Sequence, residues 1–206
     1  GRLDILTRLI TDEGTAFDQV IKGYKGNLYI EVAPRTFSIV VRTGDRLNQL
    51  RFQRDRGAQG TGISEGKWKE IITTQQIIRI ENKDDEKRLC AETGMLPFTI
   101  DLRNTGVDGD LIGYRSKRHT PRIDIARRDY DPADFWEGIY YKKGKSETLI
   151  LDPSEFYILM TKEPIAVPPD YAAEMLPYDT RAGEFRVHYA GFFDPGFGWD
   201  AQTSKV

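Results

Sequence analysis

The segment Val187-His188-Tyr189-Ala190-Gly191-Phe192-Phe193-Asp194-Pro195-Gly196-Phe197-Gly198 sets a carboxylate, Asp194, on an apolar strand at the lip of a Gly/Pro turn. Phe192 and Phe193 favour burial while Pro195 and Gly196 end the strand, so Asp194 is expected at a rim where it can accept hydrogen bonds. An Asp that merely starts a turn fits the same residues. A second carboxylate, Glu31, lies in Leu28-Tyr29-Ile30-Glu31-Val32, where a period of two puts Leu28, Ile30 and Val32 on one face and Tyr29 and Glu31 on the other. On that pattern Ile30 and Val32 anchor the strand in the core, and Glu31 points away, into a pocket or into solvent. Soft metal ligands are few: His119, His188 and Cys90. They cannot supply a multi-thiolate zinc site. The basic run Tyr114-Arg115-Ser116-Lys117-Arg118-His119 could meet a triphosphate or nucleic acid, or form a solvated turn; no regularly spaced aromatic platform accompanies it.

The elements that must position these groups are mostly strands. A chain of 206 residues can form one large or two small domains and should bury roughly 70% of its unfolded surface. Thirty basic residues against 32 acidic ones leave a net charge of -2, so no global basic field recruits nucleic acid. The single cysteine rules out an internal disulfide and fits a reducing cytoplasm. No apolar run approaches the ~20 residues that span a bilayer, and Gly1-Arg2-Leu3-Asp4 is not a signal peptide. The chain is therefore expected to be soluble, cytoplasmic and without a membrane partner. It opens inside patterned sequence without an initiator Met, as a fragment would.

Strands are expected at Leu28–Val32, Phe37–Val41, Leu47–Phe52, Phe98–Leu102, Leu111–Tyr114, Ile123–Ile125, Leu149–Leu151 and Phe156–Met160, separated by Gly or Pro turns. Arg54–Gly66 reads as a mobile loop, and Trp68–Ile80 as either a short helix or a strand. Glu81–Arg88 reads as a solvated charged face. Asp131-Pro132 has the grammar of a helix start, and Trp136, Tyr140 and Tyr141 read as core or interface aromatics. The expected fold is mainly β, a sandwich or barrel-like architecture with minor helix.

Leu151-Asp152-Pro153-Ser154-Glu155-Phe156, Val167-Pro168-Pro169-Asp170-Tyr171-Ala172-Ala173 and Ala190-Gly191-Phe192-Phe193-Asp194-Pro195-Gly196-Phe197 together resemble the dCTP deaminase family, related to trimeric dUTPases. Pro97-Phe98-Thr99-Ile100-Asp101-Leu102-Arg103 is similar to that family's early strand P-x-x-I-D-L-R. Gly1-Arg2-Leu3 resembles the end of its R-S-S-x-G-R-L motif, and Gly26–Val32 its strand bearing the catalytic Glu. The arrangement is similar to double-length α-proteobacterial members, in which two β domains are fused. It implies a dUTPase-like distorted β-barrel or jelly-roll in parts of two tandem copies. Residues 1–95 would be the C-terminal part of the first repeat plus an insertion, and residues 96–206 the N-terminal part of the second.

The resemblance implies zinc-independent hydrolysis of dCTP to dUTP and ammonia, with Mg2+ carried on the substrate triphosphate. Glu31 would be the general base; Arg2, Gln49, Asp194 and Arg181 would bind substrate. Asp18 or Ile21 stands near the position of the Asp motif in the first copy. In the second, Pro177–Gly183 lacks the expected serines. Each copy is thus incomplete, and a Ser-Ser pair before Gly1 and a Glu-bearing strand after Val206 are expected. A homo-oligomer with a trimer-like arrangement of β domains follows from the family. Two other functions fit the superfamily: a dUTP diphosphatase or bifunctional deaminase/diphosphatase, and a non-catalytic β assembly module.

Overall fold

The computed structural model describes residues 3–12, 14, 16–49, 63–75, 77, 96–103, 110–141, 148–175 and 191–199. Among these the protein is mainly β, with nine short strands and one α-helix. No helix among them is long and apolar enough to cross a membrane. Contacts divide the chain into two compact units: Gly1–Phe52, Tyr114–Ile139 and Ile150–Ile158 form the first, and Gln53–Gly113, Tyr140–Leu149 and Leu159–Val206 the second. β4 (Leu111–Ser116), β6 (Trp136–Tyr140) and β7 (Tyr157–Leu159) form a three-stranded sheet with β4 central.

In the first unit β1 (Ile5–Thr11) and β2 (Leu28–Pro34) form an antiparallel ribbon whose register pairs Thr7 with Val32, Arg8 with Glu31 and Leu9 with Ile30. The alternation of Ile5, Thr7, Leu9 and Thr11 carries the same period-two signal as β2, though β2 alone stood out in the sequence. The hydroxyl of Tyr24 ties the long connection together, donating to the carbonyl of Asn27 at 2.5 Å and accepting from the N–H of Asp12 at 3.2 Å. Gly26 allows this, since a Cβ there would lie 2.6 Å from that hydroxyl. The expectation that Ile30 and Val32 anchor β2 in a core is corrected: they are 45% and 37% exposed. Neither belongs to the unit's hydrophobic cluster, and among the described residues β2 has β1 as its one sheet partner.

The core of this unit is aromatic. Phe37, Ile123, Phe135 and Phe156 are buried together, with Leu3, Ile39, Tyr130, Trp136 and Ile158 packed around them. Phe37 meets Phe135 and Trp136 edge to face at 6.1 and 5.2 Å, the arrangement that aromatic quadrupoles favour. β3 (Ile39–Val40) and β5 (Ile123–Asp124) pair in parallel. The helix start at Asp131 is a single 3-10 turn, Pro132–Asp134, with the Asp131 side chain capping the N–H of Ala133. Leu149–Leu151 is not a strand: among the described residues these pair with no neighbour, and Ile150 and Leu151 are exposed. Leu47–Gln49 is likewise irregular, while Leu50–Phe52 lie outside the described residues.

In the second unit the ambiguity at Trp68 resolves as a helix, α1 (Glu65–Gln75). Ser64 caps it, its Oγ accepting from the N–H of Lys67 at 3.4 Å, while its carbonyl accepts the first helical bond from the N–H of Trp68 at 2.8 Å. Glu65–Lys69 and Lys67–Glu70 pair along the exposed side at 2.7 and 2.9 Å. Trp68 and Ile71, three residues apart, are buried with Ile77, Ile165, Val167 and Phe193. The end of the expected Arg54–Gly66 loop is thus helical, and residues 54–62 lie outside the described set, as do Cys90 and the charged run at 81–88. Phe98–Leu102 is reduced to one bridge, Ile100 to Thr161. The buried Glu163 secures it, accepting from the N–H and hydroxyl of Thr99 at 2.8 and 2.5 Å.

Candidate functional site

Glu31 sits on an exposed stretch of β2, and among the described residues no hydrogen bond or salt bridge engages its carboxylate. Its face of the ribbon carries Arg8 directly opposite, the pair Ile10–Tyr29 on one side and Leu6–Ala33 on the other. The guanidinium carbon of Arg8 lies 4.7 Å from the centroid of the Phe17 ring. A carboxylate, a cation and two aromatic rings therefore share one surface. Sequence reasoning singled out Glu31 and missed Arg8 and Phe17. The signal for Arg8 was the alternation of β1, which fixes its face; Phe17 had none, because it reaches that face through a turn in the backbone.

The turn is at Asp18, which occupies the left-handed region at φ 59. Its N–H donates to the carbonyl of Leu9 at 3.0 Å, and its Oδ1 accepts from the N–H of Leu9 at 2.8 Å. Asp tolerates this conformation because its short polar side chain can bond locally. One oxygen of Asp18 thus binds the outer edge of β1.

Gln49 is exposed in the irregular segment after the Arg42–Asp45 turn, in the same unit as Glu31. Asp194 belongs to the second unit. There β8 (Ala173–Glu174) pairs antiparallel with β9 (Phe192–Phe193), and Phe193 is buried against Phe197 with ring centroids 5.1 Å apart. The carbonyl of Asp194 accepts from the N–H of Phe197 at 3.0 Å, and Gly196 has φ 81. Pro then a positive-φ Gly at the two central positions is the chemistry of a type II turn. Asp194 is exposed at its start. Arg2 and Arg181 lie outside the described residues; next to Arg2, Leu3 packs on the aromatic core and Asp4 accepts from the hydroxyl of Thr36 at 2.7 Å.

The basic run that spans the end of β4 is paired within its own unit. Arg115 binds Glu137 at 2.7 Å, Arg118 binds Glu155, and Lys117 Nζ donates to the carbonyl of Ala133 at 2.6 Å. The Arg115 hydrogen bond holds the Glu137 carboxyl below its usual range. These contacts make the segment a structural turn with local counter-charges. Among the described residues no three His, Cys, Asp or Glu side chains group as metal ligands.

The sequence matches two models of one family. Residues 1–56 match the 2'-deoxycytidine 5'-triphosphate deaminase (DCD) N-terminal domain, and residues 64–206 match the C-terminal domain of the same family. The chain belongs to the 2'-deoxycytidine 5'-triphosphate deaminase family. In this dCTP deaminase family chain, Glu31, Arg8, Phe17 and Gln49 fall within the first matched region and Asp194 within the second. Among solved structures it is similar to the crystal structure of 2'-deoxycytidine 5'-triphosphate deaminase from Agrobacterium tumefaciens, at 41% identity and a TM-score of 0.78. The match covers 100% of this chain and 56% of that one. No curated protein matches the chain.

Proposed function

We propose that the protein is part of a dCTP deaminase, an enzyme that hydrolyses the exocyclic C–N bond of dCTP to give dUTP and ammonia. The family match over residues 1–56 and 64–206 carries this reading. Deamination needs a base to activate water, donors for charge developing on the pyrimidine, and a grip on the triphosphate. Glu31 is the base in this proposal. It takes a proton from the water that attacks C4 of cytosine, then passes protons to N3 and to the departing amine, so that water is consumed and ammonia released. Its support is geometric: a strand holds the residue, and no partner among the described residues occupies its carboxylate.

Arg2 and Arg181 take the roles of phosphate ligands, since guanidinium binds phosphate oxygens bidentately. Asp194 meets the deoxyribose from its type II turn, and Gln49 offers an amide to the base or sugar. Mg2+ travels with the triphosphate as part of the substrate. One cysteine and two histidines favour a zinc-independent route. Residues 1–95 and 96–206 are proposed as parts of two tandem repeats, with one copy supplying Glu31 and the other helping to build the subunit interface of a cytoplasmic homo-oligomer.

In the full-length protein, Glu31→Gln should lower dCTP turnover by about 10²–10⁴-fold, the usual worth of a general base, while nucleotide binding measured by calorimetry persists. Undiminished turnover would remove Glu31 from the mechanism.

A further inference from the structure

Tyr29 shares a face of β2 with Glu31, two residues further on, and stands opposite Ile10 of β1. A rise of about 3.4 Å per residue sets the two Cα atoms about 7 Å apart along the strand. The tyrosine is 48% exposed, yet its hydroxyl is tethered, accepting from Nδ2 of Asn27 at 3.4 Å. Asn27 is held in turn through its own backbone: its N–H donates to Oδ2 of Asp12 at 3.4 Å, and its carbonyl accepts from the Tyr24 hydroxyl at 2.5 Å. The loop that leads into β2 thus reaches the tip of the Tyr29 ring, while the strand holds its base.

An aromatic side chain fixed at both ends and still half open to solvent has given up rotamer freedom before anything binds. Such a ring takes a second flat π-system by offset stacking, and every nucleobase supplies one. Its neighbour on the same face is the carboxylate that the proposed mechanism sets against C4 of cytosine, so a pyrimidine lying on Tyr29 can present its C4 edge to Glu31. We infer that Tyr29 is the platform on which the pyrimidine ring of the substrate stacks, and that Asn27 steadies that platform at the hydroxyl. The inference rests on the reading of Glu31 as general base and adds to it how the base of the nucleotide is brought beside that carboxylate.

Calorimetric titration of the full-length protein with the α,β-imido analogue of dUTP tests this. The analogue carries a pyrimidine and a triphosphate but can be neither deaminated nor cleaved between its α and β phosphates; inorganic tripolyphosphate is the base-free probe. Tyr29→Leu should weaken the analogue about tenfold, the scale of one base–aromatic stack, and leave tripolyphosphate within about twofold. Tyr29→Phe keeps the ring and loses one hydrogen bond, so the analogue should stay within about threefold of wild type. Asn27→Ala should weaken the analogue by a similar amount in the wild type and not at all in the Tyr29→Leu background, because without the ring there is nothing to steady. Equal weakening of both probes by Tyr29→Leu would make the residue a support of the strand and overturn the inference, as would unchanged binding of the analogue. Turnover of dCTP by Glu31→Gln keeps the two failures apart. If that variant is fully active, the general base was misassigned; if it is inactive and Tyr29→Leu binds the analogue as the wild type does, the stack alone is wrong.

Discussion

Two glycines frame Asp194, and they answer to different physics. Gly196 has φ 81 and open space around its missing Cβ, whereas at Gly191 a Cβ would come within 3.0 Å of Met175 Cβ across the β8–β9 pair. Gly196→Ala should therefore cost about 1–2 kcal/mol through backbone conformation alone. Gly191→Ala should cost about 1–3 kcal/mol by forcing the strands apart. Denaturant unfolding distinguishes the two causes: Met175→Gly should recover part of the Gly191→Ala loss and none of the Gly196→Ala loss. Equal recovery at both positions would show that the crowding is misassigned. Asp194 was legible in sequence because Pro195-Gly196 is a local instruction, complete within four residues. Glu31 was legible as a face of a strand. The Phe17–Arg8 contact was not, since nine residues and a left-handed Asp18 separate the partners, and single-residue φ preferences do not announce such a fold-back.

Among the elements, the parallel β3–β5 pair is only two residues long on each strand, and a charge contact reinforces it: Arg42 Nη1 meets Asp124 Oδ1 at 2.5 Å. That hydrogen bond, and then the N–H of Ala126, hold the Asp124 carboxyl below the usual aspartate range. Asp129 beside Arg127 and Glu137 beside Arg115 are lowered in the same way. A carboxyl with a folded pKa below its unfolded value stabilises the fold above that unfolded value, about 3.9 for Asp, and loses the contribution as pH falls through the folded one. The melting temperature should therefore drop on acidification below about pH 4, less steeply in Asp124→Asn. Identical slopes for the two proteins would refute a stabilising role for this pair. Such partnerships mark where sequence reading ends. Arg115 and Arg118 looked like a possible triphosphate or nucleic-acid contact because Glu137 and Glu155 stand 22 and 37 residues away. The helix at Glu65–Gln75 was undecided for a related reason: Trp68, Ile71 and Ile72 suit either period until the Ser64 cap and the buried cluster choose.

For the whole molecule, composition and strand patterning were enough to anticipate a mainly β fold, and the motifs around Asp101, Tyr171 and Asp194 were enough to point to the family. The role of the apolar face of the ribbon was not legible. Leu28, Ile30 and Val32 read as core because a period of two says which residues share a face and nothing about what covers it; in this chain the face is exposed. The chain spans 56% of the length of the Agrobacterium deaminase it matches, so activity belongs to experiments on the full-length protein. Incubation of that protein with dCTP and, separately, with dUTP, followed by separation of nucleotides and assay of ammonia and pyrophosphate, tests the central claim most directly. The account predicts dUTP and ammonia in equal amounts from dCTP, and none from the Glu31→Gln variant. Unchanged dCTP alongside pyrophosphate release from dUTP would contradict it.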